Sequence, residues 1–463
     1  MESGPKAVVL RDLWDRLPGG SRSEFLRRCA EAGRWAPETR PTRWEAMRPL
    51  VLSEAEYYRF TALAAGVLRC ALLACRRRAG TAGELHRALD EQFDLPLLDP
   101  SQRLSAAALL RMARPDALLV GGTPWFVELN IGPNIYWIPR LEERGTAFAL
   151  RWPGGTLAEP PSTLRARANA LARTVPVSGT GRSRALVPTW RATSGLAAKL
   201  EDPRALRRYL EPAAEAARTA GLDVSVADLS EMRGGTGGGL WAGGDRIDVV
   251  FNQFAGRVVA DRRSIGVLRE QVLAGTVRLF VPEASCLLSA KQVLAWMHED
   301  LELYDPADRE LILRHVPWTT WLGPRQSPEQ RREILEQAAR DRVHLILKPS
   351  SGRGGAGFVA GHQVSERQWR ELLTRESSRR TLVLQRRLVP DTTWMPFRSL
   401  DGVRTAARVP LVLSPFLVDR GPAGAHVRHP GPEADPCGAS PVNAAAGAVS
   451  NTVLLLPDAE GAA

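Results

Sequence analysis

Across residues 1–112 the apolar positions recur at three- and four-residue spacing, which places them on one side of successive α-helices. Three capping signatures, Ser21-x-x-Glu24, Ser53-x-x-Glu56 and Thr81-x-x-Glu84, open these predicted helices. The longest covers Ser53–Arg78, carries Leu63, Val67, Leu68 and Leu72 on one side, and stops near Gly80. Pro96–Pro100 punctuates the chain, and another helix is predicted over Ser101–Met112. Stripes of this kind are core packing, and no chemistry is assigned to them.

The period then shortens to two. In RPDALLVGGTPWFVELNIGPNIYW (Arg114–Trp137) two apolar runs, Ala117–Val120 and Trp125–Val127, flank a Gly-Gly-Thr-Pro turn, the pattern of a β-hairpin. Glu128 and Asn130 are two apart on the second strand, so their side chains share a face. A carboxylate and an amide oxygen on one face suit Mg²⁺, which keeps waters and bridges phosphates. Asp116 joins that face only if it stands opposite Glu128, which an odd-membered loop such as Val120–Pro124 would arrange. The other reading is a surface hairpin with ordinary polar ends.

Beyond Trp137 breakers accumulate, at Trp152-Pro-Gly-Gly, at Glu159-Pro-Pro-Ser and in VSGTGRSR (Val177–Arg184), and mark a domain boundary. Strands and helices then alternate: ALVP, a helix from Asp202 and Pro203 to Gly221, LDVSVADL, IDVVFNQF, and the helix SIGVLREQVLAG. That order predicts a parallel, Rossmann-like layer. Its glycine cluster, Gly234–Gly244, has no lysine before it and no helix after it, and reads as a hairpin tip.

The strongest chemical signal is HLILKPSSGRGGAGFVAG (His344–Gly361): an apolar strand delivers Lys348, a glycine loop follows, and Phe358 and Val359 resume a strand. Glycine lets backbone N–H groups approach phosphate oxygens, and a lysine beside the loop adds a point charge. GRGGAG also fits the dinucleotide fingerprint, but that motif needs a helix opening at the loop, and the next helical pattern begins only near Ser365. The kinase glycine loop fails because Lys348 precedes the loop and neither HRD nor DFG occurs. A glycine-rich surface loop without a ligand remains the plain alternative.

With 463 residues the chain exceeds one ordinary core, so two or three domains are expected. The net charge of +11 invites a nucleic-acid reading, but Lys and Arg are scattered and no basic run interleaves with aromatics. The charge reads instead as a positive field suited to anionic substrates. Five cysteines without C-x-x-C spacing, and a polar Met1–Arg11, point to reduced thiols in the cytoplasm. The apolar run Thr61–Cys75 is interrupted by Arg69 and is short for a bilayer, so no membrane association is expected. His426, His429 and Cys437 could suggest zinc, but a fourth ligand is lacking.

Taken together, KPSSGRGGAG, RPD…ELN, LSAKQVLAWM, LVLQRRL and AGAHVRHP resemble the ATP-grasp superfamily in its circularly permuted branch, relatives of glutathionylspermidine synthase-like amide ligases. In the usual order the metal strands follow the glycine loop, whereas here Glu128 and Asn130 precede it. The resemblance implies an α+β chain: a permuted ATP-grasp fold with a Rossmann-like α/β domain and an N-terminal helical region. The expected division is 1–112 helical, 113–184 metal hairpin and irregular linker, 185–285 Rossmann-like, 286–457 nucleotide-binding, and 458–463 a disordered tail.

It also implies roles. Lys291, Lys348 and the loop residues Ser351, Gly352, Gly354, Gly355 and Gly357 would hold ATP phosphates. Gln385, where the family often has glutamate, would lie on the hinge strand that reads adenine. Asp116, Glu128 and Asn130 would bind Mg²⁺, and Arg428 with Arg114 would stabilise the transferring phosphoryl group. The expected activity is ATP-dependent joining of a carboxylate to an amine through an acyl phosphate, on small-molecule or peptide substrates, with oligomerisation open. A nucleotide-binding scaffold without catalysis and an ATP-dependent phosphotransferase are the alternatives.

Overall fold

The computed structural model describes residues 8–32, 43–89, 97–175, 183–191, 203–235, 238–254, 259–351, 355–433, 442 and 447–458. The expected helix cap Asp202, loop residues Gly352 and Gly354, Cys437, and the tail beyond Asp458 lie outside them.

The central helix is Glu54–Arg76, 23 residues long, opened by Ser53, whose Oγ accepts the Glu56 N–H at 3.2 Å. Tyr57, Phe60, Ala64, Val67, Leu68 and Ala71 on it are fully buried. They pack on the largest sheet and on the helices Gln292–Glu299 and Pro306–His315. Arg69, the interruption noted in the sequence, pairs with buried Asp308 on the second of these helices. By length and composition this helix could cross a bilayer, more than the run Thr61–Cys75 suggested, but here its apolar side chains form the core.

The sheet beneath it is antiparallel, in the order Val449–Asn451, Gly421–His429, Val412–Val418, Asp116–Val120, Thr123–Glu128, with Met112–Ala113 paired to Val412–Val418. An early hairpin is thus joined to late strands. Alternation gives the sheet two characters. Ala117, Phe126, Leu413, Ala425 and Val427 belong to the core with the central helix, and Phe60 stacks on Phe126 at 5.8 Å. Asp116, Ser414, His426 and Arg428 alternate with them and line the opposite face.

The lysine strand Leu345–Pro349 lies in a second antiparallel sheet, ordered Thr319–Leu322, Leu382–Arg386, Leu345–Pro349, Val359–Ala360. Its own small core includes Trp369 and Leu373 from the helix Glu366–Ser377, which a Ser365–Gln368 capping box opens. The expected alternating region forms a four-stranded parallel sheet, Arg278–Leu279, Val249–Val250, Arg184–Thr189, Asp223–Asp228, with the helices Pro203–Thr219 and Arg262–Leu273. The second glycine cluster makes short antiparallel hairpins, Arg233–Gly234, Leu240–Ala242 and Asp245–Ile247.

Residues 1–112 are less helical than their spacing predicts. Trp44–Ala46 and Leu50–Ser53 are strands, paired with Thr392–Ser399 and Val453–Leu456. The partners lie near the other end of the chain, and no local pattern announces them. Ser21 is not a cap, because the helix Gly19–Glu31 already starts after Pro18. The helix over Ser101–Met112 shrinks to Ala106–Leu109, because residues 100–104 give their backbone to Gly80–Gly83 instead, as in Ala82 N–H to Gln102 O at 2.9 Å.

Phe60→Ala should remove the stacked contact and leave a cavity in this core, costing ~3–5 kcal/mol of unfolding free energy. Chemical denaturation followed by far-UV dichroism measures this, and an unchanged midpoint would mean that the helix–sheet contact contributes little.

Candidate active site

The acidic hairpin turns at Gly121–Gly122, both with positive φ (58° and 76°), a two-residue turn that glycine permits. The longer Gly-Gly-Thr-Pro turn and the odd-membered loop Val120–Pro124 are not formed, since Thr123 and Pro124 already pair with Val120 and Leu119. Such a turn alone would set Asp116 opposite Val127. A β-bulge between Asp116 and Ala117 shifts the register, so that Asp116 faces Glu128 while Ala117 faces Phe126. The extra residue, Val127, carries Glu128 and Asn130 to the polar face, with Leu129 buried between them. Asp116 and Glu128 meet as the sequence reading required, by a different device.

The bulge has a second effect. The Val127 carbonyl accepts from Lys348 Nζ at 3.4 Å, and Lys348 also donates to Gln385 Oε1 at 2.9 Å. Gln385 is 1% exposed, and its Nε2 donates to Thr319 Oγ1 at 3.1 Å. Both ends of that side chain are therefore engaged inside the sheet, on a central strand paired on both sides. Gln385 positions Lys348, and in this arrangement its side chain is not presented to a base.

Lys291 stands at the N-terminal cap of the helix Gln292–Glu299. Its backbone N–H donates to Ser350 O at 3.0 Å, which ties this helix start to the lysine strand, and its Nζ pairs with Glu128 Oε1 at 3.0 Å. Burial draws the Lys348 ammonium down to about 8; Glu128 opposes this and Lys291 adds to it. A polyphosphate would add negative charge beside the Lys348 ammonium, whose hydrogen bonds go to the neutral oxygens of Val127 and Gln385.

On the adjoining strands Asp116 Oδ2 pairs with Arg428 Nη2 at 2.6 Å, and its Oδ1 accepts from Ser414 Oγ at 2.9 Å and lies 3.5 Å from Arg114 Nε. Burial pushes the Asp116 carboxyl up, but Arg428, Arg114 and these hydrogen bonds outweigh it and hold it below the usual carboxylate range. The Arg114 guanidinium is lowered by burial, and its backbone N–H donates to Asn130 O at 2.7 Å. Nε of Arg428 and Nδ2 of Asn130 are buried donors without a hydrogen-bond acceptor among the described residues, and Nε of Arg114 has only its 3.5 Å ion pair with Asp116. His426 bonds Ser450 Oγ at 3.2 Å, and burial first, then the surrounding arginines, lowers its imidazole far enough to leave it neutral. His429 is likewise held neutral by burial, at about 3.

No group of three His, Cys, Asp or Glu side chains suited to a metal occurs among the described residues. Asp116 does not fit the role of Mg²⁺ ligand, because both its oxygens serve arginine and serine. Glu128 and Asn130 do fit. Glu128 keeps a side-chain exposure of 32% and one oxygen outside its lysine pair, and an amide oxygen beside a carboxylate suits a hard cation. Of the loop residues, Ser351 is exposed, and Gly355 and Gly357 have positive φ (75° and 74°). At Gly357 a Cβ would meet Pro349 Cγ at 2.7 Å, so only glycine fits there. Ser414 and Thr319 went unread in the sequence; Ser414 is legible in hindsight as a lone hydroxyl inside the apolar strand LVLSPFLV.

The Lys348 pKa implies a pH effect on stability. The folded value, about 8, lies below the ordinary lysine value of 10.5, so the unfolded chain binds the proton more tightly. The Lys348 contribution to unfolding free energy therefore rises as pH climbs from about 8 to 10.5. Denaturation of wild type and Lys348→Met across that range should show this rise in the wild type alone. Parallel curves would mean an unperturbed lysine.

No family model matches the chain, and no curated protein matches it. Among solved structures, a glutathione synthetase-like effector from Globodera pallida, in its apo form, is similar over 89% of this chain and 90% of that one, at 11% identity and a TM-score of 0.49. D-alanyl-alanine synthetase A from Vibrio cholerae O1 biovar eltor is similar over 50% of this chain and 67% of that one, at 14% identity and a TM-score of 0.29. At these values neither likeness assigns a family or an activity, and the functional reading rests on the side chains themselves.

Proposed function

We propose that this chain is an ATP-dependent carboxylate–amine ligase of the ATP-grasp type in its permuted form. The observation that carries the reading is the convergence of Lys348, Lys291 and Glu128 at the foot of a glycine-rich hairpin, beside the Arg114–Asp116–Arg428 cluster. The permuted arrangement is supported by the pairing of the early acidic hairpin with the late strand Val412–Val418.

Lys348, Lys291 and the amides of Ser351, Gly355 and Gly357 would bind the ATP phosphates, with Gly352 and Gly354 completing the loop. Glu128 and Asn130 would hold Mg²⁺, which when bound offsets phosphate charge. The Arg428 Nε–H, buried without a hydrogen bond, and the Arg114 guanidinium would offer a transferring phosphoryl group fixed donors, and Asp116 pairs with both guanidinium groups and holds them in place. A substrate carboxylate oxygen attacks the γ-phosphorus, the bond to the ADP oxygen breaks, and an acyl phosphate forms. An amine then attacks the acyl carbon, phosphate leaves with the electron pair, and the amine proton passes to phosphate or solvent. Positioning and electrostatics supply the catalysis. Folding the glycine hairpin over the site would keep water from the acyl phosphate. A cytoplasmic setting is consistent with Cys29, Cys70, Cys75 and Cys286 forming no disulfide with one another.

The second reading is a scaffold that binds nucleotide without turnover. It is favoured by one observation: Asp116 is committed to arginine, which leaves one carboxylate for a metal.

Calorimetry of ATP with and without Mg²⁺, on wild type and Glu128→Gln, separates these readings. The ligase reading expects Mg²⁺-dependent binding that loses this dependence in the variant, and turnover reduced by orders of magnitude. Binding that never responds to Mg²⁺, with no ADP released in any acid–amine screen, favours the scaffold. ADP release without an amine acceptor favours a phosphotransferase. Arg428→Ala should lower turnover far more than ATP affinity, and an unchanged rate would place Arg428 outside the reaction.

A further inference from the structure

A second set of buried donors lies apart from the lysine and arginine clusters, at the parallel sheet. Arg167, in the middle of the helix Thr163–Thr174, is 2% exposed and makes no ion pair among the described residues. Its Nη1 donates to Gln253 Oε1 at 3.2 Å, and its guanidinium lies over the Phe251 ring at 4.9 Å. Its Nε, on the Nη2 edge of the guanidinium, is buried with no hydrogen-bond acceptor. Of the acidic groups that act on Arg167, Tyr209 first and then Glu142, the Glu142 carboxylate already accepts from Ser162 Oγ and the Leu164 N–H, both at 2.9 Å. Burial draws the Arg167 pKa down to about 10. A buried cation without a counter-ion is costly, and a fold retains one where something else supplies the charge.

The surroundings say where that charge would enter. Phe251, Gln253 and Phe254 follow the strand Val249–Val250, and Trp190 follows its parallel neighbour Arg184–Thr189. In open parallel sheets the crevice beyond the carboxyl ends of the strands is where ligands sit. Gln253 Nε2 and Trp190 Nε1 are also buried donors without acceptors; the two residues are each 4% exposed, and the Trp190 and Phe254 rings are 5.4 Å apart. Asp228, at the end of the next strand, is occupied by Thr189 Oγ1 and the Ser230 N–H, both at 3.0 Å.

We propose that this crevice binds the carboxylate of a small amino-acid- or peptide-like molecule, with Arg167 as the cationic anchor and Gln253 and Trp190 as neutral donors. The Nε–Nη2 edge of a guanidinium matches the two oxygens of a carboxylate. A single cation among Phe251, Phe254 and Trp190 suits a monoanion with an apolar body better than a phosphate dianion. The site does not depend on the ligase reading, since it needs neither ATP nor Lys348.

The test is calorimetric titration of the full chain, without nucleotide, with acetate, L-alanine, glycyl-L-phenylalanine and inorganic phosphate. At least one carboxylate probe should saturate a single site. Arg167→Met should weaken that binding by about tenfold or more, as expected for loss of a charge-assisted pair, and Arg167→Lys should restore part of it. Gln253→Leu should weaken it severalfold, and carries the test if Arg167→Met fails to fold. Lys348→Met should lose ATP binding and keep carboxylate binding, so failure of the ligase reading leaves this result standing. The proposal falls if no probe saturates, if phosphate alone binds, or if Arg167→Met and Gln253→Leu bind as wild type does.

Discussion

The Asp116 carboxylate is the constraint on which the site depends. It takes Arg428 at 2.6 Å and Ser414 at 2.9 Å and stands 3.5 Å from Arg114, all within the largest sheet. Ser414 and Arg428 arrive on two strands from the far end of the chain, and Arg114 sits in the connection between Met112–Ala113 and Asp116–Val120. A buried ion pair of this kind gains little net stability over an apolar pair, but removing one partner strands a charge, at ~3–5 kcal/mol. The cluster therefore acts more as a clamp than as a source of stability. It fixes how the early hairpin seats on the late strands, and hence where Glu128 and Asn130 emerge.

Legibility followed the range of the interaction. The period-two pattern of Ala117–Val127, the lysine before its glycine loop, the Thr81–Glu84 capping box and the alternating strands and helices of the parallel sheet are local signals, and all formed. The strands Trp44–Ala46 and Leu50–Ser53 were not legible, because each is stabilised by a partner hundreds of positions away. Gln385 shows a subtler limit. Its strand was readable, but which of its faces meets Lys348 depends on the pairing of Leu382–Arg386 with Leu345–Pro349.

Asp116 illustrates the same limit at the level of chemistry. From sequence, an aspartate and a glutamate on facing strands form a metal pair as readily as two halves of separate ion pairs. What decides between them is where the cations fall, and Arg428 reaches Asp116 only through the strand order of the folded sheet. The metal reading then contracts to Glu128 and Asn130, and Asp116 becomes the residue that orients two guanidinium groups.

The Val127 bulge links these levels. Register in a hairpin with a two-residue turn is set by the turn, and here Gly121–Gly122 alone would place Glu128 on the face with Phe126, against the central helix. A carboxylate there would be buried in an apolar core without a partner, an arrangement the fold would resist. One extra residue moves Glu128 to the polar face, where Lys291 meets it, and leaves the Val127 carbonyl to accept from Lys348. A single backbone irregularity thus brings together the acidic hairpin, the lysine strand and the helix start at Lys291, which come from three distant stretches of the chain.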